Sequence, residues 1–445
     1  METVLIKTAQ LLLSLSILVI LHELGHYMFA RIFKTRVEKF YLFFDPWFSL
    51  FKVKKGETEY GIGWLPLGGY VKISGMIDES MDREAMKLPP QPWEFRSKPT
   101  WQRLFIMLGG VLMNFIFAIL IYVGILFAWG ESFLPTENVK YGIHVSEVGE
   151  QIGFQNGDKI LTVDGQYIEN FNKILLTIIL NDAKTVQVER NGQKIDIEIS
   201  DADHALILKS KEVFAPRIPF RFGVESLIKN SVGEKAGLNI GDEIIGLNGN
   251  TYTYYDEWSK DLKMMAGKEI TLNIERNGQP LDINMTLGDD GLIGFIMNSH
   301  FDQIFELKTI NYGFFQSFPA GITRGIETTG DYLKQFKLLF KKETKAYESL
   351  GGFATIGSIF PGTWDWFSFW NMTAFISIIL AIMNLLPIPA LDGGHVLFLT
   401  FEMITGKKPS DKFLEYAQIV GMVILLALVL YANANDIIKM INGTF

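Results

Sequence analysis

The sequence predicts a polytopic α-helical membrane protein with four transmembrane helices. A membrane-associated β-hairpin region lies on the cytoplasmic side and two small β-rich modules lie across the membrane. Three observations carry this. Four apolar runs, about Val4–Phe33, Leu104–Trp129, Trp366–Leu391 and Ala417–Ala432, each approach the roughly 20 residues a bilayer requires. Basic residues crowd the same side of these runs, with Arg31, Lys34, Arg36 and Lys39 after the first, Lys87, Arg96, Lys98 and Arg103 before the second, and Lys407, Lys408 and Lys412 between the last two. The positive-inside rule therefore puts residues 34–103 in the cytoplasm and both termini and the 130–365 segment outside, with Lys341, Lys342 and Lys345 discordant. An internal repeat fills that outer segment.

Of the 445 residues 48% are apolar, enough for several domains and too many for an ordinary soluble protein. A formal charge of −8 argues against nucleic acid as a partner. There is no cysteine, so disulfides, thiolate zinc sites and Cys nucleophiles are excluded, and any metal must be held by His and carboxylates.

The first span, residues 1–34, contains His22-Glu23-Leu24-Gly25-His26. No charged residue stands between Thr8 and Leu21, and after the motif none follows until Arg31. On a helix this spacing sets two imidazoles on one face, close enough to share one Zn²⁺, with the Glu beside them to polarise a water. Ionisable groups at membrane depth are costly and mark function.

Residues 35–103 carry short aromatic and β-branched runs broken by Gly and Pro, which predicts hairpins. A strand around Gly61, Ile62, Gly63, Trp64 and Leu65 is apolar for a solvated loop and is predicted to dip toward the metal. Asp78 to Pro92 reads as a loose surface loop. The second span, 104–130, has a Gly109-Gly110 pair and one strong hydrogen-bonding side chain, Asn114, which is as compatible with a helix-to-helix contact as with a substrate-facing role.

In the outer segment Gly157-Asp158 leading to Asp164-Gly165 is echoed by Gly241-Asp242 leading to Asn248-Gly249. Glu-Arg-Asn-Gly-Gln recurs at 189–193 and 275–279, and Asn-Gly between alternating strands is a hairpin turn. Two modules follow, 131–215 and 216–303. Their Gly-Asp strand pattern resembles PDZ domains, and Gly291-Leu292-Ile293-Gly294-Phe295 resembles the loop with which those domains capture a peptide C-terminus. The resemblance implies two PDZ-like α/β domains and peptide binding at Leu292, Ile293, Gly294 and Phe295. The first copy has no obvious equivalent loop.

Residues 304–365 are predicted to hold a basic amphipathic helix, with Tyr332, Leu333, Phe336, Leu339 and Phe340 opposite Lys334, Lys337, Lys341, Lys342 and Lys345. It would lie on the membrane face or against the modules. The third span, 366–391, ends Asn384-Leu-Leu-Pro387-Ile-Pro389-Ala-Leu, and Asp392-Gly-Gly-His395 follows. The two prolines break the helix and let Asp392 turn inward as a third ligand, with His395 as rival. Residues 392–445 are predicted to be a loop and the fourth span.

Together these features resemble the site-2 protease family of intramembrane zinc metalloproteases, in its four-span bacterial type with tandem periplasmic PDZ domains. The resemblance runs through His22-Glu23-x-x-His26, Pro66-Leu-Gly-Gly-Tyr-Val-Lys72, Gly109 to Asn114, the repeat, and Asn384-x-x-Pro387-x-Pro389-x-Leu-Asp392-Gly-Gly. It implies one Zn²⁺ on His22, His26 and Asp392, Glu23 as general base, and Asn384, Pro387 and Pro389 shaping the substrate path. This chain has Gly110 where members often carry proline. The family further implies an inner-membrane protein that cleaves single-span membrane proteins, such as an anti-sigma factor after a first cut by another protease, and remnant signal peptides. The alternatives are a metal or ion transporter and a catalytically idle PDZ receptor.

Overall fold

The computed structural model describes residues 2–66, 68–76, 89–210, 212–298, 304–339 and 351–441. The chain divides into two compact units, one of Met1–Gly130, Asn311–Phe336 and Tyr347–Phe445, the other of Glu131–Ile310 and Lys337–Ala346.

The first unit is built on helices. Those used below are α1 (Glu2–Ile32), α2 (Thr100–Trp129), α3 (Phe314–Leu338), α4 (Trp366–Leu385), α5 (Asp392–Thr405) and α6 (Asp411–Ile441). Four of them, α1, α2, α4 and α6, are long and apolar enough to cross a membrane. The α1/α2 crossing is close because it is made of glycines. A Cβ on Gly25 would stand 2.1 Å from the Gly109 carbonyl oxygen, and one on Gly109 2.5 Å from that of Gly25.

Two boundaries correct the sequence reading. The third span stops at Leu385, not Leu391. Leu386 precedes Pro387 and takes an extended backbone (φ −59°, ψ 141°), as residues before proline do. Residues after Asp392, expected as loop, form α5 instead. Its Gly393 and Gly394 are not loop glycines. They allow the 386–391 turn to fold back on the start of α5, since a Cβ on Gly393 would lie 2.1 Å from the Leu386 oxygen and one on Gly394 2.6 Å from Pro389 Cα.

Between α1 and α2 the expected hairpins are a four-stranded sheet in the order β2-β3-β1-β4, with β1 Val37–Leu42, β2 Phe44–Lys55, β3 Thr58–Leu65 and β4 Tyr70–Ile73. The β2–β3 hairpin turns at Gly56 (φ +65°). β1 and β3 pair in parallel, which local turn signals do not reveal. The expected loop at Asp78 to Pro92 lies outside the described residues as far as 88.

α3 packs on α2 through a small-residue face, with Gly321 against Val123 and Gly325 against Ile119, and Arg324 donates to Asn371 Oδ1 on α4 at 3.0 Å. Leu338, in the last turn of the same helix, packs on the hydrophobic cluster of the first module, one of the two placements expected of the amphipathic segment. Its residues Phe340, Lys341, Lys342 and Lys345 lie outside the described residues.

In the second unit the repeat gives two hydrophobic clusters, one from residues 134–214 with Phe305 and one from residues 222–293. The first copy carries a three-stranded sheet of Lys159–Val163, Thr185–Arg190 and Gln193–Glu198, the second a five-stranded sheet. The predicted turns are present, Asn191 and Gly192 at φ +52° and +78° and Asn277 and Gly278 at +51° and +76°, the mirror-image turn that suits a hairpin.

The repeat also duplicates an ion pair. Arg190 Nε and Nη2 each donate to Asp158 at 2.7 Å, and Arg276 Nε and Nη2 each donate to Asp242 at 2.7 Å. Each Arg also caps a carbonyl, Gly153 or Gly237. Burial works against the Asp242 carboxylate, yet Arg276 and the Asn239 amide hold its pKa below the ordinary carboxylate value. Arg276→Ala leaves the buried Asp242 carboxylate without its cation, so the second module is expected to unfold at a lower denaturant concentration. Denaturant melts of the full chain followed at Trp258, buried in that module, test this. An unchanged midpoint would refute it.

Candidate metal centre

His22 and His26 lie one turn apart on α1, and Asp392 opens α5. Their ligand atoms form a near-equilateral triangle. His22 Nε2 is 3.2 Å from His26 Nε2 and 3.2 Å from Asp392 Oδ2, and His26 Nε2 is 3.3 Å from the same oxygen. Tetrahedral zinc with bonds of about 2.0–2.1 Å separates its ligands by about 3.3 Å, so the triangle fits that ion. The donor set agrees, because Asp392 Oδ2 is buried without a hydrogen-bond partner between two imidazoles. A carboxylate oxygen so placed needs a cation.

The imidazoles are oriented from behind. His26 Nδ1 is 2.8 Å from the Ile106 carbonyl of α2, which must accept its proton and leaves Nε2 as the free lone pair. His22 Nδ1 lies 3.4 Å from the Asn114 amide, and Asn114 is fully buried with its Oδ1 unpartnered. Turning that amide so that its oxygen meets His22 Nδ1–H satisfies both groups and aims His22 Nε2 at the triangle. Asn114→Ala is thus expected to weaken zinc binding by about 10–100-fold. Competition with a chelator of known affinity measures this, and an unchanged affinity would sink the assignment.

The third ligand is anchored through its helix. Arg103 of α2 donates to both carboxylate oxygens of Glu402 on α5, Nη2 to Oε1 at 2.5 Å and Nη1 to Oε2 at 3.1 Å. Thr100 Oγ1 and the Lys98 carbonyl complete the clamp. The approach to α5 is strained, with Ala390 at φ +87°, a conformation that non-glycine residues hold only when their surroundings enforce it.

The triangle borders a cavity of about 850 Å³ lined by Glu23, Val71, Asn384 and Asp392 among others. Gly69 permits Glu23 its place, since a Cβ there would stand 3.3 Å from Glu23 Cγ and 2.8 Å from Val19 Cγ1. Asn384, in the last turn of α4, brings its Nδ2 within 3.4 Å of His22 Nε2. Pro387 and Pro389 occupy the turn between α4 and α5. His395, the rival ligand, lines the cavity but is not among the three converging atoms.

Of the strand expected beside the metal, Leu65 lines the cavity, and β1 stands between this strand and β4. Gly61 and Ile62 of β3 are paired on both sides, to Tyr41 and Leu42 of β1 and to Lys52 and Phe51 of β2. Gly63 and Leu65 are paired to β2, and Trp64 Nε1 donates to the Pro46 carbonyl. The sheet edge that lines the cavity is β4. Of the loop in the second module, Ile293 is 2% exposed and its side chain belongs to the core. Leu292 is exposed, Gly294 has φ +86°, and Phe295 begins the strand Phe295–Asn298 at the edge of the five-stranded sheet.

The family model for peptidase family M50 matches residues 10–428. The chain is 29% identical to Regulator of sigma-E protease RseP of Escherichia coli, over 96% of this chain and 97% of that protein. It is 28% identical to Regulator of sigma E protease of Haemophilus influenzae, over 96% and 98%. A Neisseria meningitidis relative whose name is that of a zinc metalloprotease is 29% identical over 96% and 97%. With the matches running the length of the chain, the site-2 protease resemblance drawn from the motifs holds, and it is of the RseP type. This chain belongs to peptidase family M50.

Proposed function

We propose that His22, His26 and Asp392 hold the single zinc ion of this metalloprotease, that Glu23 is its general base, and that the substrate is a membrane-spanning segment. The observation that carries this is the 3.2–3.3 Å triangle beside Glu23, with His22, Glu23 and His26 on a helix long enough to cross a membrane. When bound, zinc supplies Lewis acidity toward the scissile carbonyl and an attacking water. Glu23 takes the proton of that water and returns it to the leaving amine. Asn384 offers an amide donor to the substrate carbonyl region, and Pro387 and Pro389 shape the path by keeping α4 from running on.

A substrate helix bonds its own backbone groups, so its scissile carbonyl is accessible only once a stretch is unwound. The position of β4 at the outside of the sheet supports a reading in which that stretch pairs as an added strand and regains its hydrogen bonds. Trp47, Phe48, Leu50 and Phe51 of β2 are exposed, and such a surface suits a sheet seated in lipid.

The names of the relatives support a place in sigma-E regulation, with an anti-sigma factor as substrate and remnant signal peptides as further ones, in a bacterial inner membrane. The basic-residue asymmetry supports periplasmic termini. The two modules, 131–215 and 216–303, read as PDZ-like domains that filter substrates by size, with a peptide C-terminus adding beside Phe295–Asn298. A transporter or idle receptor is disfavoured by membership in a peptidase family. The test uses the purified chain in detergent with a tagged single-span substrate. Cleavage should stop with a zinc chelator and return when zinc is restored, and cleavage indifferent to chelation would overturn the reading.

A further inference from the structure

The first module holds a second convergence of ligand-type side chains, remote in sequence from the metal centre. His204 lies in the first turn of the helix Asp201–Lys209, is 4% exposed, and neither ring nitrogen has a hydrogen-bond partner. Its Nδ1 is aimed between two carboxylates, 3.7 Å from Asp182 Oδ1 and 4.0 Å from Asp201 Oδ1. One ligand atom from each of the three lies within 4.8 Å of the others. The carriers are fixed locally. Asp182 sits at φ +56° after the helix Ile174–Leu180, and Ser200 caps the helix of Asp201 and His204 in a reciprocal capping box with Asp203.

A cation already uses this carboxylate pair. Lys184 Nζ is 2.9 Å from Asp201 Oδ1 and 3.6 Å from Asp182 Oδ2, on a side chain 57% exposed that is free to swing away. Lys184 satisfies the acids but makes no hydrogen bond to His204, whose two ring nitrogens stay without a partner. A metal ion satisfies all three groups at once.

We propose that Asp182, Asp201 and His204 form a binding site for a divalent transition-metal cation of the zinc class, with Lys184 as the internal cation it displaces. One imidazole nitrogen and two carboxylate oxygens, with water completing the shell, is a donor set that zinc accepts. Drawing the atoms from within 4.8 Å of one another to ligand spacing asks for rotation of Asp201, whose side chain is 62% exposed.

The test titrates full-length chain in detergent with Zn²⁺ alone and counts bound metal after dialysis. Wild type should take one more zinc than the metal centre accounts for, and a His22→Ala, His26→Ala variant should keep that additional ion. Asp201→Asn, a change at an exposed position, should weaken the additional site by about tenfold or more, as should His204→Gln. Lys184→Ala should tighten it several-fold, because its competitor is gone, whereas a merely structural cluster would lose stability without gaining affinity. No additional zinc in wild type, an additional zinc indifferent to Asp201→Asn, or weaker binding on Lys184→Ala would each overturn the proposal.

Discussion

Glu23→Gln is expected to lower the turnover of a membrane-spanning substrate by about 10²–10⁴-fold while the chain still binds its zinc. Glu23 is not one of the three converging ligand atoms; it lines the same cavity one residue round the helix from His22. The amide is the same size, so the fit against Gly69 is preserved. What it lacks is the basicity to accept a proton from the attacking water. The measurement is a single-turnover cleavage assay in detergent beside metal analysis of the same preparation. Turnover within a few-fold of wild type would remove Glu23 from the proton-transfer role, and zinc lost together with activity would reassign it as a ligand.

Asp392→Ala is expected to act on the metal first and on activity only as a result. Its Oδ2 is the point shared by the two 3.2–3.3 Å imidazole contacts, and without it the remaining pair of neutral nitrogens offers no charge to a dication. Zinc affinity should fall by well over the 100-fold that loss of a supporting hydrogen bond brings. Activity should recover partly at high zinc. Competition against a chromogenic chelator reads the affinity directly. Retention of wild-type affinity would mean that another group, His395 being nearest in sequence, completes the site.

The contrast between what the sequence disclosed and what it hid follows the range of the interactions. The histidine pair was legible because four residues on a helix is a fixed distance. Asp392 was legible because a carboxylate abutting an apolar run is costly there, and the prolines and glycines beside it give the backbone the means to turn it inward. The modules were legible because Asn191-Gly192 and Asn277-Gly278 encode their turns locally, and the repeat says so twice. Asn114 was not, since its contact with His22 joins residues 92 apart and a lone amide in a span has many uses. The place of β4 at the cavity was not legible for the same reason. Apolar character picks out Trp64 and its neighbours, but the parallel β1–β3 pairing that leaves β4 at the edge is a property of the sheet and not of any one strand. Helix α5 was missed because Gly393-Gly394 reads as a loop until the Leu386 carbonyl is seen against it.

The shortness of β4 has a consequence for selectivity. A four-residue edge is about 13 Å long, and four residues are close to one turn of a helix. An incoming segment would have to melt by a single turn, leaving the helix above and below it intact. The enzyme would then read the local fragility of a substrate at one depth, not its overall hydrophobicity or any side-chain motif. Proteins with quite different transmembrane sequences would be cut alike wherever one weak turn falls at the height of that edge.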